Sequence, residues 1–264
     1  MSALKMKQDR ARILGHTNFV DAFAINQVKE ILSDIKREFN DLAIVSNKAS
    51  FWADGLGLKN ASLISESETL NFKANHFDLV IHALSLHRSN DPVGQLIQIR
   101  HALRPDGLLL AFLCGGETLR ELRKSFEAAE IDIENGISPR IAPMIEIRDA
   151  GDLLVRAGFA LPVADKIDLN VTYKSPIDLI RDLRGMGETS ILHNRKKSFL
   201  RRATFNKLLA HYSNSHSVPE GSGIRATFQL LCLTGWAPSA NQQKPLRPGS
   251  ASHHFSKVLS TYKL

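Results

Sequence analysis

The chain has 264 residues, 43% of them apolar, and 34 Lys and Arg against 27 Asp and Glu give a formal net charge of +7. That length holds one large domain, or one domain with an appendage, and the apolar share supplies a sizeable core. No window approaches 18 consecutive apolar residues, which excludes a helical membrane span, and the start MSALKMKQDRARIL lacks an apolar signal core, which argues against secretion. That basic start reads as an ordinary first helix, with an organelle transit segment as the alternative. Cys114 and Cys232 lie at or in apolar runs and read as buried thiols of a reducing compartment, not as a disulfide or a metal site. The net charge suits an acidic partner. The densest basic cluster, Arg195 to Arg202, has no aromatic platform and reads as the solvated face of a helix spanning about Arg195 to Tyr212, not as a nucleic-acid surface.

In chain order, residues 1–40 read as helical, and Asn26 to Phe39 place Val28, Ile31, Leu32, Ile35 and Phe39 on one face. Leu42 to Val45 is the first strand. A doubly wound nucleotide site would follow it with a glycine-rich turn entering a helix. Here the turn is Ser46-Asn47-Lys48-Ala49-Ser50-Phe51, without glycine. Phe77 comes only 31 residues after Ser46. Two helices and two strands of ordinary length, with their loops, need roughly 45. One strand–helix pair is therefore expected to be missing. What remains is a short helix around Trp52, a turn at Gly55 and Gly57, and a strand from Ala61 to Ser65, with Glu66 and Glu68 past its carboxyl end.

Asn75 to Arg123 holds a complete strand–helix–strand unit. Phe77 to Leu84 is a β-branched-rich apolar run, too short for a core helix. Asp91 is placed to cap a helix with Pro92 at its first position, and Val93, Leu96, Ile97, Ile99 and Leu103 give that helix a buried face. Arg104-Pro105-Asp106-Gly107 has turn composition. Leu108 to Leu113 is apolar throughout, as a strand buried on both faces is. Cys114-Gly115-Gly116 breaks it, and Thr118 to Ala129 continues as a helix. A unit of this kind implies a parallel sheet with right-handed crossovers, whose ligands bind beyond the carboxyl ends of the strands. Further on, Asp149 to Ala157 reads as a helix stopped by Gly158. Val163 to Tyr173 alternates as an edge strand, and Ser175-Pro176 starts a helix from Ile177 to Leu183. Arg225 to Trp236 is the last strong strand, paired antiparallel with the Val163 strand, and the tail from Ala237 has loop composition.

This order of elements resembles the class I S-adenosylmethionine-dependent methyltransferases. Phe77-Asp78-Leu79-Val80 and Leu103-Arg104-Pro105-Asp106-Gly107-Leu108 are similar to the FDLV and LxPGG-type motifs of those enzymes. A more specific set resembles one subfamily, that of the mitochondrial complex I assembly factor 5 and its alphaproteobacterial relatives: LSLHRSNDP (84–92), GGETLRELR (115–123), GISPRIAP (136–143), RDLRGMGETS (181–190), GWAP (235–238) and QQKPLRPGSA (242–251). The resemblance implies a Rossmann-like, mostly parallel α/β sheet, truncated in its first half, with a C-terminal antiparallel strand pair and added helices. It divides the chain into an N-terminal helical segment (1–40), a methyltransferase-like domain (41–236, with a helical insertion at about 175–215) and a tail (237–264).

The implied function is S-adenosylmethionine-dependent methyl transfer with an eroded cofactor motif. The alternative is a catalytically altered or inactive assembly factor of the same fold, hydroxylase-like in one variant, acting on a subunit of respiratory complex I. The implied cofactor is S-adenosylmethionine. Its glycine turn maps to Ser46, Asn47, Lys48 and Ser50, its adenine-side acid to Glu66, and the end of the FDLV strand to Leu84 and Ser85. The aromatic that follows the family's histidine is Arg88 here. His87 is the candidate general base, against a structural histidine. The substrate side maps to Asn90, Asp91, Gly115, Gly116, Arg140, Met186 and Glu188. Bland readings stand beside these: Asn90 and Asp91 as helix caps, the two glycines as a strand-to-helix turn, Arg140 as an ordinary surface arginine, and Gly185-Met186-Gly187-Glu188 as a helix stop in place of a lid. No metal site is expected. The implied partner is a protein substrate, in the bacterial cytoplasm or, for a eukaryotic chain, the mitochondrial matrix.

Overall fold

The computed structural model describes residues 19–190, 192–196, 198–218, 222–243 and 249–250. The expectations for residues 1–18 and for most of the tail lie outside them. Six strands form one sheet: β1 (Leu42–Val45), β2 (Ser62–Ile64), β3 (Phe77–Ala83), β4 (Leu103–Cys114), β5 (Ala160–Tyr173) and β6 (Ile224–Trp236), in the spatial order β2-β1-β3-β4-β6-β5. The first four are parallel; β6 runs antiparallel between β4 and β5. β2, only three residues long and partly exposed, is the edge beyond β1. No strand–helix pair intervenes between β2 and β3, which agrees with the short spacing in the sequence.

Every residue of β1 and β3 is buried, because helices cover both faces. Alternation along the strands sorts the side chains into two layers. Leu42, Ile44, Leu79, Ile81, Leu110 and Phe112 face one core, which also receives α1 (Phe19–Asp34), α2 (Ala49–Leu56), α4 (Arg120–Glu134), α6 (Pro176–Met186) and α7 (Arg202–Ser215). Ala43, Val45, Val80, Leu109 and Ala111 face the other, under α3 (Pro92–Ala102) and α5 (Ile147–Arg156). Each fully buried aliphatic or aromatic side chain contributes about 1.5–3 kcal/mol.

Some boundaries differ from the sequence reading. α1 ends at Asp34, so Ile35 and Phe39 reach the core from an extended segment. Arg104–Gly107 is not a free turn. Leu103 already pairs with Phe77, the register then shifts, and Asp106 takes φ 62° in the bulge, held by its amide donating to the Ala237 carbonyl. α7 begins at Arg202, so the described part of the Arg195–Arg201 stretch is irregular chain in place of the expected helix. Asp91 caps α3 by accepting from the Gly94 amide at 2.7 Å, with Pro92 in the first turn. Ser175 caps α6, and Gly187, at φ 84°, ends it.

Candidate functional site

A cavity of about 760 Å³ opens at the carboxyl ends of β1, β3 and β4. Ser46 and Lys48 enter it from the turn after β1, Leu84, His87 and Arg88 from the turn after β3, and Cys114 from the end of β4. Val20 and Asp21 of α1 close one side, while residues 140–144 and the α6 end with residues 188–190 cover it. Two leucines in its wall, Leu84 (φ 49°) and Leu119 (φ 56°), lie in the left-handed region. That conformation costs an L-residue about 1–2 kcal/mol and is characteristic of functional turns. The Leu84 amide donates to the Phe112 carbonyl and the Leu119 amide to the Thr227 carbonyl, which fixes both bends.

Charged side chains occupy the end of the cavity next to β1 and β2. Lys48 Nζ lies 2.7 Å from Asp21 Oδ2, and the Trp52 indole N–H donates to Asp21 Oδ1 at 2.9 Å. The Lys48 amide donates to Ser46 Oγ. Arg88 bridges two carboxylates: Nη1 lies 2.6 Å from Glu188 Oε1, and Nη2 lies 3.2 Å from Glu66 Oε2. Asn47 also donates to Glu66. The Arg88 side chain is 15% exposed, Glu66 8% and Glu188 32%. Burial disfavours the Glu188 carboxylate, but Arg88, His87 and Lys48 hold it down to about 2, so it stays ionised at any working pH. Burial likewise weighs against the Arg88 charge, and the two carboxylates more than offset it.

His87 Nδ1 accepts from the Cys114 amide at 3.5 Å. Nε2 faces Glu188 Oε2 at 3.9 Å, beyond hydrogen-bond reach, and it is buried without a hydrogen-bond partner. Burial, reinforced by Glu188, pushes the Cys114 thiol up to about 12, which makes it a poor nucleophile. His82, one turn earlier, is fully buried and pushed down to about 4; it bonds Gln95 and Ser85 and is structural. On the far side, Glu130 accepts from the Ser138 amide, the Ser138 hydroxyl and the Arg140 guanidinium, which anchors the covering loop.

Of the residues singled out in the sequence, Ser46, Asn47, Lys48, Leu84, His87, Asn90, Arg140, Met186 and Glu188 line the cavity. The others do not. Ser50 is exposed on α2. Ser85 is buried beneath the turn against His82. Glu66 stands behind Arg88. Asp91 is spent on its cap. Gly115 and Gly116 are packing glycines: a Cβ on Gly115 would meet Gln229 and Leu231, and one on Gly116 would meet Glu146. Asp21 and Phe228 were missed. Asp21 had one signal, a lone acid inside the apolar run FVDAFAI.

A mostly parallel sheet with a terminal antiparallel pair, flanked by helices and open at the strand ends, defines the Rossmann-like methyltransferase class. The chain belongs to the methyltransferase family. Residues 24–111 match the family model described as a methyltransferase domain. A protein of Rickettsia prowazekii described as a "putative methyltransferase" is 31% identical over 70% of this chain and 80% of its own length. A relative from Danio rerio, named arginine-hydroxylase NDUFAF5, mitochondrial, is 41% identical over 76% of this chain and 62% of its own length, and the Homo sapiens protein of that name is 39% identical over 58% of its length. The chain thus spans about three-fifths of these relatives. A solved structure from Bacillus halodurans, again described as a putative methyltransferase, shares the fold at 10% identity with a TM-score of 0.52, over 81% of this chain and all of that one. Among the described residues no helix is long and apolar enough to cross a membrane.

Proposed function

We propose that this chain modifies an arginine side chain of a partner protein, as the name of its 39–41% identical relatives indicates for them, and that the partner is a subunit of respiratory complex I. The observation that carries this reading is the state of the cofactor end of the cavity. Lys48 stands where a methyltransferase turn carries glycine, and its side chain is drawn across that turn to Asp21. Glycine there lets backbone approach a ligand; a Cβ and an ammonium obstruct it. Glu66, at the adenine-side position, is held by Arg88 and Asn47. These residues do not fit S-adenosylmethionine in the manner of the family.

What the site offers is the ionised Glu188 and the Glu66 carboxyl group, both beside cationic side chains, next to His87, whose Nε2 faces the cavity. Such a site holds and orients a cation. Peptide mapping by mass spectrometry of respiratory-complex subunits, from cells with and without this chain, tests the reading. It expects one arginine to lose its modification in the deletion strain; unchanged arginines throughout would sink it.

A second reading, methyl transfer from S-adenosylmethionine, is favoured by one observation. The cavity lies at the carboxyl ends of parallel strands, and about 760 Å³ is more than one arginine side chain fills.

A further inference from the structure

We infer that the outer edge of β5 is a self-association surface, and that two copies of this chain join there as an antiparallel, two-fold pair centred on Ile167. The inference stands apart from the arginine reading, since no residue of β5 lines the cavity. β5 ends the sheet. Among the described residues it pairs with β6 alone, in continuous register from Val163 to Tyr173. Alternate residues of such a strand turn their N–H and C=O groups away from the neighbour, and that row templates a further strand. At 14 residues β5 is also the longest strand described. Its bulge lies at the very start, where Leu161 takes φ 49° and the register shifts between Ala160 and Val163. The remainder is a straight edge.

Charge along this edge fits a second copy in one register. Asp165, Lys166 and Asp168 are exposed in the middle of the strand. Across a two-fold antiparallel pair, opposed side chains share a face of the sheet, so a residue meets one an even number of positions away. Lys166 and Asp168 meet that condition, and centring the pair on Ile167 sets them opposite each other. Symmetry repeats the ion pair on the other side of the axis. In the same register Ile167 meets Ile167 and Val163 meets Val171. Centring one residue earlier opposes Lys166 with Lys166, and one residue later Asp168 with Asp168. Like charges directly opposed destabilise a strand pair, so the charges select the register as well as attract. Asp168 is already oriented by the Gln229 side-chain amide, which donates to its Oδ1 at 2.9 Å.

Apolar surface accompanies the charges. Ile167, Leu169 and Val171 are half-buried, Val163 is 48% exposed, and Val155 on α5, which packs along β5, is 59% exposed. A second strand against this edge takes part of that surface out of water. The two-fold axis stands perpendicular to the sheet. It joins two six-stranded sheets into one and reverses strand direction across the junction, so the two cavities open toward opposite ends.

Sedimentation equilibrium of the full chain, over a concentration series up to about 200 μM, tests the surface. The wild type is expected to double its mass within that range. Lys166→Glu and Asp168→Lys are each expected to raise the dimer dissociation constant at least about tenfold, because each opposes like charges twice. Lys166→Glu/Asp168→Lys restores opposite signs and is expected to restore dimerisation. A wild type that stays monomeric throughout overturns the proposal and makes the exposed charges guards of a free edge. Association that Lys166→Glu leaves unchanged, or that the double exchange fails to rescue, assigns it to another surface and also overturns it. Cross-linking reads the register without depending on charge. Under mild oxidation Ile167→Cys is expected to form a disulfide-linked dimer, while Val163→Cys and the wild type remain largely unlinked, since Val163 faces Val171 and not itself. Linking of Val163→Cys as fast as Ile167→Cys contradicts the register.

Discussion

Replacing Glu188 with glutamine removes one limb of the Arg88 bridge without removing volume. The Glu188 carboxyl is held at about 2 in the folded chain against an ordinary 4.5. A depression of that size corresponds to about 3 kcal/mol of differential stabilisation. The side chain keeps 32% of its surface in solvent, and screening reduces the figure to about 1–2 kcal/mol. The folded-state value lies below the unfolded one. The contribution is therefore complete above about pH 4.5 and is lost as pH falls toward about 2. Urea unfolding of the wild type and Glu188→Gln at matched pH, followed by circular dichroism, reads the difference directly, because all other carboxylates cancel. The expected gap is about 1–2 kcal/mol at neutral pH, constant down to about pH 5 and less than half as large by about pH 3. A gap that is unchanged at low pH, or that widens, refutes the assignment of Glu188 as an ionised partner of Arg88.

Three further outcomes follow from the packing. Glu130→Ala leaves the Ser138 amide and the Arg140 guanidinium without their buried acceptor, at a cost of about 2–4 kcal/mol, and amide hydrogen exchange at Ser138 should speed up more than at the sheet. Gly115→Ala drives a methyl group into Gln229 and Leu231 and should cost about 1–3 kcal/mol in denaturant unfolding. The Cys114 thiol, pushed up to about 12, should react with a disulfide reagent at mildly alkaline pH far more slowly than a free cysteine; a reaction as fast as free cysteine contradicts its placement.

Most of the sheet was legible in the sequence because its strands are buried on both faces and read as unbroken apolar runs, as in β3 and β4. The missing strand–helix pair was legible as well, since chain length sets how many elements fit between Ser46 and Phe77. Helix ends were less so. Ile35 and Phe39 continue the apolar period of α1 although the helix has stopped, because burial, not helicity, is what the period reports. The cavity's position followed from the strand ends. Its chemistry did not, because Arg88 meets Glu66 across 22 residues and Glu188 across 100, and no local pattern encodes such a pairing. Gly115 and Gly116 were misleading for a related reason: a glycine that lets a ligand approach and a glycine that lets Gln229 or Glu146 approach look the same in a sequence.

The filling of the β1–β2 end of the cavity by Lys48 and Arg88 is tested most directly by isothermal titration of the wild-type chain with S-adenosylmethionine. The ion pairs to Asp21, Glu66 and Glu188 predict a dissociation constant weaker than about 100 μM, or no heat at all. A constant of about 10 μM or tighter would contradict them and make methyl transfer the better reading.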